Sequence, residues 1–261
     1  MPDTQGPDGE RKRDGSRSSL VGDVLAEVIA ARVAQVGRAA LDIVDVGAGT
    51  GGFAVGIASQ GHRVTVVDPS PDALAAARWR AAETGVTLTE VQGEASDLTA
   101  LVGEASADLV ICHRVLEYVD SPSAALAAIA RVLRPGGTVS VLAANTIAAV
   151  LQRALAGKYA EARAMLPGPV SSSSAPSATA ARRFTLTELT ELIEGAGLRA
   201  GDAHGIRIFS SLLPGAGADL ATAEALRELE EAAATCPPLR DIAARLHVLA
   251  YQDADRGADR A

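Results

Sequence analysis

Residues Ile43–Phe53 read IVDVGAGTGGF. A short apolar run, interrupted by Asp45, opens into a loop with glycine at positions 47, 49, 51 and 52. Glycine at a strand-to-helix turn supports positive φ and lets a ligand approach the backbone, because no Cβ stands in the way. The helix expected next, over 53–60, turns its N-terminal amides toward the same loop, a favourable place for negative charge.

Outward from this stretch the chain alternates. The helical spacing of Leu20, Val21, Val24, Leu25, Val28, Ile29, Val33 and Val36 predicts an amphipathic helix ahead of the first strand, 43–46. Further strands are expected at 63–67, ending at Asp68, then at 88–92, 108–112 and 138–143. Helices are expected at 71–84, with Ser70 as cap and Pro71 in the first turn, and at 122–133, stopped by Pro135-Gly136-Gly137. Strand and helix alternating five times specify a parallel sheet covered on both faces. The second half departs from this rhythm. A helical stretch spans 147–165. Residues 167–180, PGPVSSSSAPSATA, form a low-complexity loop. Thr185-x-x-Glu188 is a capping box opening a helix to Glu194. A strand is expected within 198–209, with GIRIF (205–209) as its clearest part, then a helix at 220–233 and a last strand at 246–251. These late strands are expected to extend the sheet as an antiparallel edge pair.

Composition narrows the function. The 261 residues are 48% hydrophobic but only 3% aromatic, so the core must be aliphatic and few rings remain for stacking on bases. A net charge of −8 argues against a broad basic nucleic-acid surface. The two cysteines, Cys112 and Cys236, fit neither a disulfide framework nor a metal motif. No apolar run approaches the roughly 20 residues of a membrane span. Residues 1–19 are polar, lack the apolar segment of a secretory signal, and are expected to be a disordered tail, as are residues 255–261. A cytoplasmic protein is expected, with one domain over 20–254 that carries a flexible loop at 167–181 and a helical insert at 218–240.

The glycine loop admits two nucleotides. Gly47, Gly49 and Gly52 fit the dinucleotide spacing G-x-G-x-x-G. Gly47, Gly49 and Gly51 equally fit G-x-G-x-G, which suggests S-adenosylmethionine. Asp45, two residues before the first glycine, repels a pyrophosphate but attracts an ammonium and a sulfonium; its alternative role is to bond loop amides. Asp68 suits a ribose diol in either case.

The later segments separate the two. DVGAGTGG, VVDPS, GEASDL, LVICHRVLEYVDSP and RVLRPGGTVSV occur in this order, and the chain resembles the class I S-adenosylmethionine-dependent methyltransferases. The resemblance implies a seven-stranded α/β sheet of Rossmann-like, doubly wound type with the last strand antiparallel. It implies that Gly47, Ala48, Gly49 and Thr50 wrap the amino-acid end of S-adenosylmethionine and that Asp68 takes both ribose hydroxyls. Ala95 and Ser96 would contact adenine. His113 would sit beside the methyl group or pack the loop. No metal is implied. Within this class CHRVLEYVDSP, Asn145, LAGKYAEARAMLP, RRFTL, LIEGAGL, GIRIFSSLL and LHVLAY are similar to bacterial tRNA 5-carboxymethoxyuridine methyltransferases, which esterify the carboxylate of a wobble uridine. A carboxylate is ionised at neutral pH, so no general base is required, and an arginine fork would hold it. Arg207, alone on its face of the expected GIRIF strand, is either that fork or a solvent-facing residue. Arg182 and Arg183 hold phosphate or carboxylate, or form a solvated pair. Arg17 is a candidate for the cofactor carboxylate. The partner is therefore tRNA or a small-molecule carboxylate. The alternative is an O- or N-methyltransferase of a small metabolite, since one fold serves many substrates.

Overall fold

A computed structural model of the chain describes residues 20–166, 181–212 and 220–254. The two tails, Arg17 and all of the Ser-rich loop except residue 181 lie outside them. The N-terminal half follows the periodicity of the sequence: α1 (Leu20–Val36), β1 (Asp42–Val46), α2 (Gly52–Ala58), β2 (Arg63–Asp68), α3 (Pro71–Glu83), β3 (Thr89–Gln92), a 3-10 turn (Ala95–Asp97), α4 (Leu98–Val102), β4 (Ala107–His113), α5 (Pro122–Val132) and β5 (Leu133–Ala144). Ser70 caps α3 by accepting the Ala73 amide, with Pro71 in the first turn. Then come α6 (Thr146–Leu155), α7 (Tyr159–Ala164), α8 (Leu186–Gly195), β6 (Arg199–Ile206), α9 (Leu220–Ala233), α10 (Pro237–Arg240) and β7 (Arg245–Tyr251). The capping box at Thr185 is complete in both directions.

The seven strands form one sheet in the order β3-β2-β1-β4-β5-β7-β6. β1 to β5 pair in parallel, while β7 runs antiparallel to both β5 and β6. The central strands β1, β4, β5 and β7 are buried on both faces. Val44, Val46, Cys112, Val139, Val141 and Val248 face α5 and α8, whereas Ile43, Leu109, Ile111 and Leu142 face α1, α2 and α3. Strand order reverses between β1 and β4, so the connections that leave them diverge and open a crevice beyond their carboxyl ends. The glycine loop follows β1 and His113 ends β4, which places both at that crevice.

Three boundaries differ from expectation. Pro135-Gly136-Gly137 does not terminate α5: the helix ends at Val132 and β5 begins at once, carrying these residues as an irregularity between Leu133 and Thr138. The excursion brings Arg134 to the buried carboxylate of Asp108, at 2.8 Å, where Arg38 (2.8 Å), Arg32 (3.3 Å) and the Asp42 amide (3.0 Å) also converge. Gly136 has φ 70°, and a Cβ there would stand 3.0 Å from the Arg32 guanidinium. The helical stretch after β5 is two helices, broken at Gly157 with φ 74°. The third difference concerns GIRIF. β6 ends at Ile206, Arg207 turns left-handed with φ 61°, and the amides of Ile208, Phe209 and Ser210 donate to the Glu230 carboxylate at 2.6, 3.0 and 2.7 Å. Those amides are taken by α9 and are lost to the ladder.

Candidate active site

The glycine loop is held by its own backbone. Gly47 donates to Val67 at 2.7 Å and Gly51 to Ala48 at 2.9 Å. Gly47, Gly49 and Gly51 have φ of 63°, 52° and 73°, while Gly52 begins α2 in an ordinary conformation. The three positive angles thus fall on the G-x-G-x-G spacing. A Cβ on Gly51 would lie 2.9 Å from the Cβ of Ala77, so this position is closed by packing of α2 on α3. A Cβ on Gly49 would meet nothing within 4 Å. Gly49 therefore faces open space, as backbone approached by a ligand must.

Two carboxylates flank this opening. Asp68 accepts the Gly49 amide at 3.0 Å through one oxygen and the Ser70 amide at 2.9 Å through the other. Asp45 is 5% exposed and has no side-chain hydrogen-bond partner among the described residues. Burial, and next the charge of Asp68, push its pKa up to about 7. Two acids beside the loop would repel a pyrophosphate. They suit a cationic group at this end of the loop. Thr50 is exposed at the rim; Ala95 is buried and Ser96 exposed in the 3-10 turn after β3.

His113 closes the crevice from the β4 side. Its ring meets Phe53 edge-on at 5.1 Å, its Nε2 lies 2.7 Å from Ser140 Oγ, and its buried Nδ1 has no partner. Burial lowers its pKa to about 3, so the ring is neutral. Ser140 continues to His247, and His247 to His204. Sequence reasoning missed these three residues. Each is a polar residue in or beside an apolar strand, but only the strand register reveals that they share a face with His113. It also missed Arg114, left-handed with φ 60° immediately after His113, and Glu117, buried with one carboxylate oxygen on the Ala144 amide and the other unpaired. Burial raises the pKa of Glu117.

On the substrate side the expectations divide. Asn145 is 2% exposed; its side chain caps α6 through Ile147 and donates to Asp241 and Ala243 at 2.9 and 2.8 Å. Both amide hydrogens are thus spent on the scaffold that joins β5 to the segment before β7. Arg182 likewise clasps the loop after β4, donating to the carbonyls of Val119 and Asp120. Arg183 is exposed and lines a cleft of about 450 Å³ with Ser123, Phe184, Glu188 and Glu191. Arg207 is not a strand residue. It is exposed at the end of β6, with its carbonyl held by the Ala244 amide at 3.1 Å and its guanidinium unpartnered among the described residues. Since β6 lies parallel to β5, Arg207 is still at the carboxyl end of the sheet. No group of three or more His, Cys, Asp or Glu side chains placed to hold a metal occurs among the described residues. No helix among them is long and apolar enough to cross a membrane.

Residues 44–141, the segment carrying the glycine loop, Asp68 and His113, match the family model described as a methyltransferase domain. The chain is an S-adenosylmethionine-dependent methyltransferase. The methyltransferase is 28% identical over 220 residues to a tRNA 5-carboxymethoxyuridine methyltransferase of Escherichia coli O157:H7, covering 84% of this chain and 82% of the relative. It is 33% identical over 157 residues to a ubiquinone biosynthesis O-methyltransferase of Xanthomonas campestris pv. campestris (strain B100), covering 59% and 64%. Its fold matches magnesium protoporphyrin IX methyltransferase from Synechocystis PCC 6803, solved with bound SAH, with a TM-score of 0.58 at 15% identity, over 94% of this chain and 93% of that one.

Proposed function

We propose that the methyltransferase esterifies the carboxylate of 5-carboxymethoxyuridine at the wobble position of tRNA, in the cytoplasm. The observation that carries this reading is the reach of the likeness to the tRNA enzyme. It extends over 220 residues, far beyond the cofactor segment 44–141, and so takes in chain that shapes the acceptor side. S-adenosylmethionine supplies the methyl group. Gly47, Ala48, Gly49 and Thr50 wrap its amino-acid end, Asp45 balances its positive charge, Asp68 accepts the ribose hydroxyls, and Ala95 and Ser96 border the adenine. Transfer is an in-line displacement at carbon, so much of the acceleration comes from alignment. Arg207, exposed and unpartnered at the sheet end, forks the acceptor carboxylate, and Arg183 receives phosphate or carboxylate at the rim.

A second reading, O- or N-methylation of a small metabolite, is favoured by the net charge of −8 and by Glu188 and Glu191, which line the Arg183 cleft and repel RNA phosphate. Labelled S-adenosylmethionine turned over with carboxymethoxyuridine-bearing tRNA, and separately with a metabolite extract, decides between them. The tRNA reading expects label in tRNA, released by mild alkali as an ester is, and lost in Arg207→Lys with cofactor affinity intact, since lysine keeps charge but not the planar fork. Label only in the extract, or alkali-stable label, selects the metabolite reading.

A further inference from the structure

A row of polar side chains runs from the cofactor crevice to the outer edge of the sheet. His113 Nε2 is 2.7 Å from Ser140 Oγ, Ser140 Oγ is 2.8 Å from His247 Nε2, and His247 Nδ1 is 3.3 Å from His204 Nδ1. The four residues belong to β4, β5, β7 and β6, neighbours in that order. Register puts them there. His113 is opposite Leu142, Leu142 opposite His247, and His247 opposite His204. Ser140 lies two residues before Leu142 and so on the same face. Ser140 and His247 are wholly buried. His204 is half-buried and lines a cleft of about 710 Å³ with Glu194, Asp202 and Arg240.

Ser140 has one hydroxyl hydrogen, and for that buried hydrogen to be paired it must donate to one imidazole and accept from the other. Neutral rings then allow two arrangements. In the first, His113 Nε2–H donates to Ser140, Ser140 to His247 Nε2, and His247 Nδ1–H to His204 Nδ1, which leaves His113 Nδ1 a bare lone pair. In the second every hydrogen bond is reversed and His113 Nδ1 carries a hydrogen. Buried unpaired N–H groups are rarer than under-satisfied acceptors, so the first is the resting arrangement.

We propose that His113, Ser140, His247 and His204 form a proton relay that takes the proton of an acceptor arriving as its acid and delivers it to the cleft beside β6. The idea rests on the reading that the acceptor is an acidic oxygen. A carboxyl group entering a desolvated site has its pKa raised before it pairs with Arg207, so at the acidic end of the pH range part of it arrives protonated. The acceptor O–H bond breaks as His113 Nδ1 takes the proton. His113 Nε2 passes its proton to Ser140, Ser140 passes its own to His247 Nε2, His247 Nδ1 passes on to His204 Nδ1, and His204 Nε2 releases one to water. Every ring ends neutral in its other tautomer, and one proton has left the acceptor with no ion stranded inside the sheet. Charged groups facing the outer end are Glu27 on α1, Asp202 on β6, Arg240 on α10 and Glu194 on α8. Among the described residues, the titratable groups acting on His247 are His113 and His204.

Nitrogen-15 NMR of histidine-labelled full-length protein, without acceptor, reads the tautomer of His113 directly. The relay predicts hydrogen on Nε2 in the native chain and a changed tautomer ratio in both Ser140→Ala and His204→Gln, with the native ratio returning in Ser140→Thr. His204→Gln alters the half-buried end and tests the idea even where Ser140→Ala folds poorly. Unchanged His113 nitrogens in folded variants overturn the relay, whatever the acceptor. With carboxymethoxyuridine-bearing tRNA, kcat at the acidic end of the pH profile should fall on the order of tenfold or more in both variants, with KM and the alkaline rate retained. Equal loss at every pH overturns the proton-carrying role. If the native enzyme leaves that tRNA unmethylated, the acceptor reading fails and the tautomer measurement alone judges the relay.

Discussion

Asp45 is enclosed beside the glycine loop without a hydrogen-bond donor, and its pKa is raised from 3.8 to about 7, first by burial and then by Asp68. A carboxyl group raised on folding contributes its stability fully below 3.8 and loses it as pH rises through about 7. At neutral pH, without cofactor, Asp45 is thus partly protonated. The ammonium and sulfonium of S-adenosylmethionine favour the carboxylate, so binding near pH 7 should release a proton. Calorimetry in buffers of different ionisation enthalpy should show this release, and affinity should climb with pH through about 7. Asp45→Asn should abolish both effects; a release that persists in that variant assigns it elsewhere. Asp68, proposed above to take the ribose hydroxyls, already receives the Gly49 and Ser70 amides. Asp68→Ala should weaken cofactor binding at least tenfold, since hydrogen bonds to a charged acceptor contribute roughly 1.5–3 kcal/mol each. It should also lower the melting temperature, because two loop amides lose their acceptor. Unchanged affinity by calorimetry would remove Asp68 from the site.

At the level of elements, Glu230 decides where β6 stops. Its carboxylate receives three successive amides, those of Ile208, Phe209 and Ser210. Glu230→Ala should cost about 1–3 kcal/mol, the penalty for leaving partly buried donors unpaired, read as a lower urea midpoint with the far-UV spectrum largely kept. A change within about 0.5 kcal/mol would mark the contact as an ordinary surface one. The same residue shows why part of the fold was legible in the sequence and part was not. The glycine turn, the five alternating units, the Ser70 cap and the Thr185 capping box are local: a few consecutive residues specify them. GIRIF has strand-like alternation, yet the acceptor that diverts its amides stands more than 20 residues away on α9. Ile206 joins the core under α1, while Ile208 joins a separate cluster with Ala233 and Ala243. The glycine turn on which the proposed cofactor site is built was legible for the same reason. The row through Ser140, His247 and His204 was not, because it exists only in the register of four strands that are far apart in the chain. Asn145 was visible as a polar residue at a strand end, but its two carbonyl partners at Asp241 and Ala243 were not.

At the scale of the whole molecule, burial disfavours the charged form of every histidine. The chain has four, and burial lowers the pKa of His62, His113, His204 and His247 alike. A group depressed on folding gives stability that is complete above its unfolded value of 6.5 and is lost as pH falls through the folded value, about 3 for His113. Asp45 and Glu117, raised by burial, pull the other way over the same range. The four lowered histidines outnumber the two raised acids, so the unfolded chain is expected to take up more protons than the folded one as pH falls below about 6.5. Stability should fall with pH below that value, beginning well above the range of ordinary carboxylates. The loss is distributed over the sheet, since His113, His247 and His204 sit on β4, β7 and β6, so unfolding should remain cooperative. Urea midpoints at pH 7.5, 6.5, 5.5 and 4.5 should descend in order, with the first clear drop below about pH 6.5. His204→Gln, at the half-buried end of the row, should make that descent shallower, since one proton-binding site is removed from the unfolded chain. Midpoints that rise between pH 6.5 and 5.5 would show that the buried acids outweigh the histidines and that the row is not held neutral by its burial.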